Sequence, residues 1–120
     1  MLAAMPLIRI VSSTEPPAAA AADALLTDLS AVLAREIGKP EAYVMTCLEP
    51  RARMTFGGTP APACFAEVMN VGTLAPELTR KLSAALADRL SAALGVAKNR
   101  TYVRFVETRG HHWGWDGDTF

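Results

Sequence analysis

Two absences narrow the function of this chain of 120 residues: it has almost no cysteine and no excess of charge. Cys47 and Cys64 form no C-x-x-C pair, so we expect two reduced thiols rather than a disulfide or a metal site. Twelve basic residues balance twelve acidic ones, which argues against a nucleic-acid partner or an anionic membrane surface. Charged residues also interrupt every apolar stretch before it could span a membrane.

The common catalytic motifs are absent as well, since the chain has no G-x-S-x-G, no P-loop and no G-x-G-x-x-G. The histidine pair His111 and His112 has no acidic or cysteine neighbours at metal-ligand spacing, which indicates a solvated pair. We therefore predict no metal and no cofactor. Arg9 interrupts the apolar N-terminal stretch and no basic residue precedes it, so we expect no signal peptide and a cytoplasmic location, with non-classical secretion left open.

What remains is a globular composition, 51% apolar and 20% charged, of a size that fits one domain. Apolar periodicity predicts two helices, at 17–37 and 76–94, and the second has leucine at a strict four-residue interval. Segments rich in β-branched and aromatic residues predict four strands, at 6–12, 41–48, 63–72 and 99–107. The tail 112–120 resembles a short aromatic strand or hairpin.

The order strand–helix–strand occurs twice, which indicates an internal repeat. The pattern K-x-x-x-Y-V begins at Lys39 and again at Lys98, and Pro17 and Pro76 at the two helix starts have the same spacing. Right-handed crossovers between parallel strands place both helices on one face of the sheet. The sequence thus predicts an α+β fold in which two β-α-β repeats form a four-stranded sheet. Its other, apolar face is expected to be covered by further subunits.

An ordered set of short motifs runs through nearly the whole chain. In order, they are Met5-Pro6-Leu-Ile-Arg-Ile, Gly38-Lys39-Pro40, Tyr43-Val44, Met54-Thr55-Phe56-Gly57-Gly58, Val71-Gly72, Asn99-Arg100-Thr-Tyr102-Val103 and an ending from Trp113-Gly114-Trp115 to Thr119-Phe120. The set resembles the macrophage migration inhibitory factor family of the tautomerase superfamily. The resemblance implies a homotrimer whose three sheets line a central barrel, with active sites between subunits. It covers 6–120 as a single tautomerase-like domain and leaves 1–5 as an N-terminal extension.

The resemblance also implies an unusual general acid/base at Pro6. In the family the start methionine is removed, and the proline amine takes a proton from the carbon next to a keto-acid carbonyl and returns it. A free α-amine is mostly protonated at neutral pH, but burial in an apolar pocket lowers its pKa and makes the base available. Without the resemblance, Pro6 would be interpreted only as the first residue of a strand.

Several further residues match substrate-binding positions of the family. Lys39 matches the lysine that holds the substrate carboxylate, although the helix dipole also favours a lysine there. Val71 matches a position whose backbone N–H contacts the substrate. Four aromatic residues match or lie at pocket-lining positions, with core packing as the alternative for each: Tyr43, Tyr102, Trp113 and Trp115.

Two positions depart from the family's pattern. Arg104 stands where vertebrate members have a small amide residue, so a second cation near Lys39 would favour substrates with a second carboxylate. A solvent-facing strand arginine is the alternative interpretation. The vertebrate C-x-x-C pair is missing after Gly58, and Cys64 alone offers no dithiol for a thiol–disulfide oxidoreductase.

The residues before Pro6 decide the activity. If translation starts at Met1, the Pro6 nitrogen lies in a peptide bond and is no base. We expect instead a start at Met5, or trimming, which exposes the amine. The predicted function is then a keto–enol tautomerase of the phenylpyruvate type, acting on a small keto acid. The alternatives are a non-enzymatic, cytokine-like signalling or binding trimer with a blocked Pro6, and a decarboxylase or hydratase relative, which Arg104 leaves open.

Overall fold

The structure, a computed structural model, describes residues 6–120. The predicted extension 1–5 and the Met5 start lie outside the described residues. Two long helices, α1 (Ala19–Ile37) and α2 (Pro76–Leu94), alternate with the strands β1 (Leu7–Ser12), β2 (Met45–Glu49), β3 (Cys64–Val71) and β4 (Thr101–Thr108). A small hairpin, β5 (Gly114–Trp115) and β6 (Asp118–Thr119), follows them and confirms the hairpin predicted for the tail.

The four long strands form one mixed sheet in the order β2-β1-β3-β4. β1 pairs with β2 in parallel, β3 pairs with β4 in parallel, and the central pair β1–β3 is antiparallel. Each parallel pair is joined by one of the helices, as the crossover argument requires. The predicted α+β architecture of two β-α-β units is therefore confirmed.

One face of the sheet packs against both helices and forms the core. Alternate strand residues turn inward, as the pleat dictates, and meet the apolar stripe of each helix. The most deeply buried members of this core are Ile8, Ile10 and Val68 from the sheet, Leu29 and Leu33 from α1, and Leu82, Leu86 and Leu90 from α2. The two helices thus lie on the same face, as predicted.

The opposite face of the sheet packs against neither helix of residues 6–120, and we call it the open face. Its cross-strand rows are Met45–Leu7–Met69–Val106, Cys47–Arg9–Glu67–Arg104 and Glu49–Val11–Phe65–Tyr102. Met45 and Tyr102 are among the most exposed large apolar side chains of the described residues. The predicted cover by further subunits remains a prediction.

The internal repeat is real, but the spacing predicted from Lys39 and Lys98 is wrong. The two helices have the same length. The starts of α1 and α2 are separated by slightly fewer residues than Lys39 and Lys98, and so are the two helix ends. A glycine in the left-handed conformation closes each helix, Gly38 and Gly95. The K-x-x-x-Y-V pattern aligns Tyr43, which lies in a short 3₁₀ turn before β2, with Tyr102, which lies within β4. The helix ends fix the register, and the short sequence match is coincidental.

Three predicted element starts shift by two residues or more. α1 begins two residues after Pro17, because Ala18 before it still has extended backbone, with ψ at 150°. The predicted strand 41–48 begins only at Met45, and the strand 99–107 only at Thr101. In both cases a 3₁₀ turn occupies the preceding residues, Glu41–Tyr43 and Lys98–Arg100. In the first of these turns, Ala42 and Tyr43 imitate the start of a strand.

Candidate active site

One end of the sheet brings most of the predicted site residues together, and we call it the proline end. Because β1 and β2 run antiparallel to β3 and β4, the starts of the first two strands meet the ends of the other two. Pro6 directly precedes β1, Tyr43 precedes β2, and Val71 is the last residue of β3. Pro6 is fully buried, and its carbonyl accepts a hydrogen bond from the N–H of Met45 at 3.1 Å. The backbone of the predicted base is therefore fixed.

Lys39 lies at the same end of the sheet, just after the end of α1. The left-handed Gly38 turns the chain, and the N–H of Lys39 donates to the carbonyl of Ala34 at 3.0 Å. Lys39 is half-buried. Among residues 6–120 no carboxylate forms an ion pair with its ammonium group. An unpaired cation at this end suits a carboxylate ligand.

The C-terminal segment folds over the proline end. The rings of Tyr43 and Trp115 meet edge to face with centroids 5.3 Å apart, and Trp115 stacks on Phe120 at 6.1 Å. The N–H of Phe120 lies 3.1 Å from the carbonyl of Gly110 and 3.3 Å from that of Trp113. Trp113 itself is half-buried, and Trp115 is exposed. Tyr43 and Trp115 thus form an aromatic wall at this end.

A cleft of about 500 Å³ opens between the ends of β3 and β4. It is lined by Val71, Gly72, Thr73 and residues 107–110. The carboxylate of Glu107 accepts the N–H of Leu74 at 2.7 Å, which ties the loop after β3 to β4. The volume of the cleft is that of a small-molecule site. Val71 therefore borders a space that a substrate could enter.

Tyr102 and Arg104 do not reach this end within one chain. At about 3.3 Å per residue, Tyr102 lies about 20 Å and Arg104 about 13 Å along β4 from Thr108, which sits at the proline end. Tyr102 lies beside Phe65 and the end of β1, at the opposite end of the sheet, which we call the tyrosine end. Tyr102 is 65% exposed, and its ring contacts only one other aromatic ring of the described chain, that of Phe56, with centroids 5.0 Å apart.

Arg104 is not the isolated second cation that the sequence suggested. Its guanidinium donates to the carboxylate of Glu67 at 2.9 Å, and that side chain is only 14% exposed. In the same region of the open face Arg9 pairs with Glu49, and this hydrogen bond lowers the pKa of the Glu49 carboxyl. The four charges alternate in sign across the open face. Glu67 thus offsets much of the charge of Arg104.

Sequence reasoning missed the role of Arg100, which organises the tyrosine end. Its guanidinium donates to four carbonyls of the loop 56–62, which precedes β3: Pro62 and Ala61 at 2.8 Å, Thr59 at 3.1 Å and Phe56 at 3.2 Å. It also lies 5.4 Å from the centre of the Phe56 ring. This loop holds the ring against which Tyr102 packs. No sequence signal marks an arginine that binds backbone carbonyls.

Asn70 was also missed, although the pattern of β3 contains the signal. Cys64, Ala66, Val68 and Asn70 occupy alternate positions and all face the core. A polar residue that ends an otherwise apolar alternation is buried beside the core, and such residues usually have a specific partner. Asn70 lies at the proline end.

The chain's thiols and histidines add no metal site to this geometry. Cys47 and Cys64 are both free, and burial raises the pKa of the Cys64 thiol to about 11. The rings of His111 and His112 lie 4.1 Å apart at exposed positions. Within residues 6–120 no three His, Cys, Asp or Glu side chains are grouped to hold a metal ion. In that same range neither helix is long and apolar enough to cross a membrane.

Comparison with known proteins identifies the family. The macrophage migration inhibitory factor family model matches residues 5–120. A homologue of that factor from Trichuris trichiura is 38% identical over 108 residues, which are 90% of this chain and 95% of the relative. The crystal structure of the homologue from Prochlorococcus marinus has a TM-score of 0.88 at 39% identity, over 95% of this chain and 98% of that one. The factor from Toxoplasma gondii has a TM-score of 0.89 at 32% identity, over 95% and 99%. The chain therefore belongs to the macrophage migration inhibitory factor family of the tautomerase superfamily.

Proposed function

We propose that the protein is a keto–enol tautomerase of the phenylpyruvate type, with the amine of Pro6 as general acid/base. The observation that carries the proposal is the burial of Pro6 at the same end of the sheet as the unpaired cation Lys39. Burial disfavours the ammonium form of an amine and so keeps the base available near neutral pH. The proposal requires that the mature protein begin at Pro6, because a peptide nitrogen has no available lone pair.

The proposed reaction is an isomerisation that consumes no co-reactant. The Pro6 nitrogen removes a proton from the carbon next to the keto-acid carbonyl. The electron pair of the broken C–H bond forms the new C=C bond, and the carbonyl π pair moves to the oxygen. The Pro6 ammonium then donates its proton to that oxygen and returns to the amine. Protons and electrons balance without a metal or a redox cofactor.

Substrate recognition in this proposal uses three kinds of contact. Lys39 binds the carboxylate of the keto acid, the backbone N–H of Val71 contacts the substrate, and Tyr43 and Trp115 offer an apolar wall to its aryl ring. Trp113, through the carbonyl that accepts the N–H of Phe120, holds this wall in place. The cleft beside Val71 has room for a small arylpyruvate.

Tyr102 and Arg104 belong to this site only if another copy of the chain supplies them. Each lies too far along β4 from the proline end of its own chain. The open face carries the exposed apolar side chains Met45 and Tyr102, which a second copy would cover. We therefore propose a homotrimer with sites between subunits, and a native mass of three chains is the expected measurement. The cytoplasmic location without a signal peptide remains a prediction.

The decisive experiment compares two forms of the protein, one that begins at Pro6 and one that retains residues 1–5. We expect phenylpyruvate tautomerisation only in the first form, since only it has the amine. Substitution Lys39→Ala in that form should raise KM more than it lowers kcat, because Lys39 contacts the carboxylate and not the reacting carbon.

Equal activity in the two forms would contradict the role of Pro6. Inactivity of both would favour the non-enzymatic binding or signalling trimer instead. Loss of CO₂ from a keto acid, or addition of water, by the Pro6 form would favour the decarboxylase or hydratase alternative. The intact mass of the protein from its own source then shows which form exists naturally.

A further inference from the structure

Asn70 carries a buried acceptor that has no partner within residues 6–120. Its side chain is 1% exposed, and its Oδ1 accepts no hydrogen bond. Buried polar atoms are nearly always paired. The other buried polar residue of the sheet, Ser12, is an example, because its hydroxyl lies 2.6 Å from the hydroxyl of Thr14. The Oδ1 of Asn70 therefore needs a hydrogen-bond donor, and residues 6–120 do not supply one.

Extended by one residue beyond its outermost pair, the β1–β3 register places Asn70 across from Pro6. β1 and β3 are antiparallel and pair Leu7 with Met69, so the next two residues outward, Pro6 and Asn70, face each other. The Cβ atoms of directly opposed residues lie about 4.5–5.5 Å apart, on the same side of the sheet. Both side chains are less than 2% exposed. They are therefore neighbours in the same buried layer.

The carboxamide of Asn70 leans along β3 toward Gly72 rather than toward the middle of the sheet. Its Nδ2 lies 3.8 Å from the position that a Cβ on Gly72 would occupy, so the amide leans toward the end of β3. In an antiparallel pair the end of β3 lies beside the start of β1. The Pro6 nitrogen lies just before the start of β1, so the carboxamide leans toward the same end of the sheet as this nitrogen.

We propose that Asn70 is a positioning residue for the base, and that its Oδ1 accepts a hydrogen bond from the amine of Pro6. The inference rests on the proposed function, because proline has an N–H only when it is the N-terminal residue. The neutral amine then has one N–H and one lone pair. If Asn70 holds the N–H, the lone pair is aimed away from β3 and toward the substrate. After proton transfer, one N–H remains on Asn70 and the other is the proton in transit.

The hydrogen bond also stabilises the ammonium form, since a charged donor binds an acceptor more strongly than a neutral one. Asn70 should therefore raise the pKa of the Pro6 amine relative to an apolar residue in its place. Other charged or titratable groups at the proline end belong to each element packed there. They are Lys39 and Tyr43 before β2, Glu107 and Arg109 at the end of β4, the Glu36–Lys81 pair between the helices, and His111, His112, Asp116 and Asp118 in the C-terminal segment. They are unchanged in the variants below.

The test is an NMR titration of protein that begins at Pro6 and carries isotope-labelled proline. Only an N-terminal proline can titrate among the eight in the chain. We expect Asn70→Leu to lower the pKa of the Pro6 amine by about one unit and Asn70→Asp to raise it by one unit or more. Ser12→Ala is the matched control, since it removes a buried polar group from the far end of β1 and should leave this pKa unchanged.

The outcomes separate this inference from the proposed function. If the Pro6 signal titrates but Asn70→Leu and Asn70→Asp move its pKa no more than Ser12→Ala does, Asn70 does not contact the amine and the inference is wrong. If Asn70→Leu fails to fold, Asn70→Ser provides the same comparison, because its hydroxyl is too short to reach the amine and the pKa should again fall. If the Pro6 form lacks tautomerase activity while the titration shifts as expected, the contact stands and the proposed function fails.

Discussion

The two ends of the sheet differ in how far the chain's own residues complete them. At the proline end, Pro6 is buried, the C-terminal segment folds over, and Tyr43 and Trp115 form a wall. At the tyrosine end, Tyr102 projects 65% exposed, with Arg104 beside it on the open face. One end has the proposed base without its full surroundings, and the other has proposed substrate-binding side chains without a base. The difference suggests that a complete site takes one end from each of two copies.

Such a divided site needs a rigid support at each end, and the supports are of different kinds. Arg100 holds the loop of the tyrosine end through hydrogen bonds to carbonyls. At the proline end, the close contact of Gly110 with Phe120 holds the C-terminal segment in place. The first support is the charged side chain of Arg100, and the second depends on Gly110 having no side chain. Substitutions can therefore weaken either end separately.

The largest effect is expected from Arg100→Lys at the tyrosine end. A lysine has three donors on one nitrogen and cannot reproduce a planar guanidinium that reaches four carbonyls. We expect a loss of about 2–3 kcal/mol in the free energy of unfolding, measured by urea denaturation at fixed protein concentration. Tyr102 should also lose its contact with Phe56.

Arg53→Lys is the matched control for this change. Arg53 precedes the same loop and forms no hydrogen bond or ion pair within residues 6–120. We expect its substitution to change the stability by no more than about 0.5 kcal/mol. Equal effects of the two substitutions would show that the carbonyl contacts of Arg100 do not support the loop.

The fold was predictable because its strongest signals are local. The four-residue leucine spacing of α2 gave both of its ends correctly, and the crossover helices required parallel strand pairs. The repeat register was not predictable from K-x-x-x-Y-V, because Tyr43 and Tyr102 share a sequence pattern but not a conformation. Only the capped helix ends, at Gly38 and Gly95, reveal the true spacing of the repeat.

The candidate site was predictable only in part. Residues that belong to local motifs could be predicted, and residues whose partners are distant in the sequence could not. Pro6, Lys39 and Val71 came from ordered motifs, and the strand directions then bring them to one end. Arg100 could not be recognised, because its partners are backbone carbonyls 38 to 44 residues away. The pairing of Arg104 with Glu67 likewise depends on a register that no local pattern reveals.

A smaller effect is expected from Gly110→Ala at the proline end. A Cβ on Gly110 would lie 2.7 Å from the carbonyl oxygen of Phe120 and 2.9 Å from its carbon, so the backbone of the C-terminal residue must move. We expect a loss of about 1–2 kcal/mol in the free energy of unfolding. Tryptophan emission should shift to the red as Trp115 leaves Tyr43. In the control, Gly114→Ala, the nearest atom is 3.5 Å away, so neither measurement should change. A stable Gly110→Ala variant with unshifted emission would show that the segment does not depend on this contact.

The smallest effect is expected where the two ends would meet in one site, at Arg104 and Glu67. If Arg104 faces the substrate from another copy, it should favour keto acids with a second carboxylate, and Glu67 should weaken that preference by pairing with it. The Arg104 side of this pair is open to solvent, and a surface pair contributes about 0.2–1 kcal/mol. The ratio of kcat/KM for dicarboxylate over monocarboxylate substrates should therefore change by up to about fivefold. Arg104→Ala should lower the ratio, and Glu67→Gln should raise it, because the guanidinium is then free. Opposite signs cannot come from a general loss of stability. A ratio that stays constant in both variants would mean that Arg104 is only a solvent-facing strand arginine and that the site takes no cation from the tyrosine end.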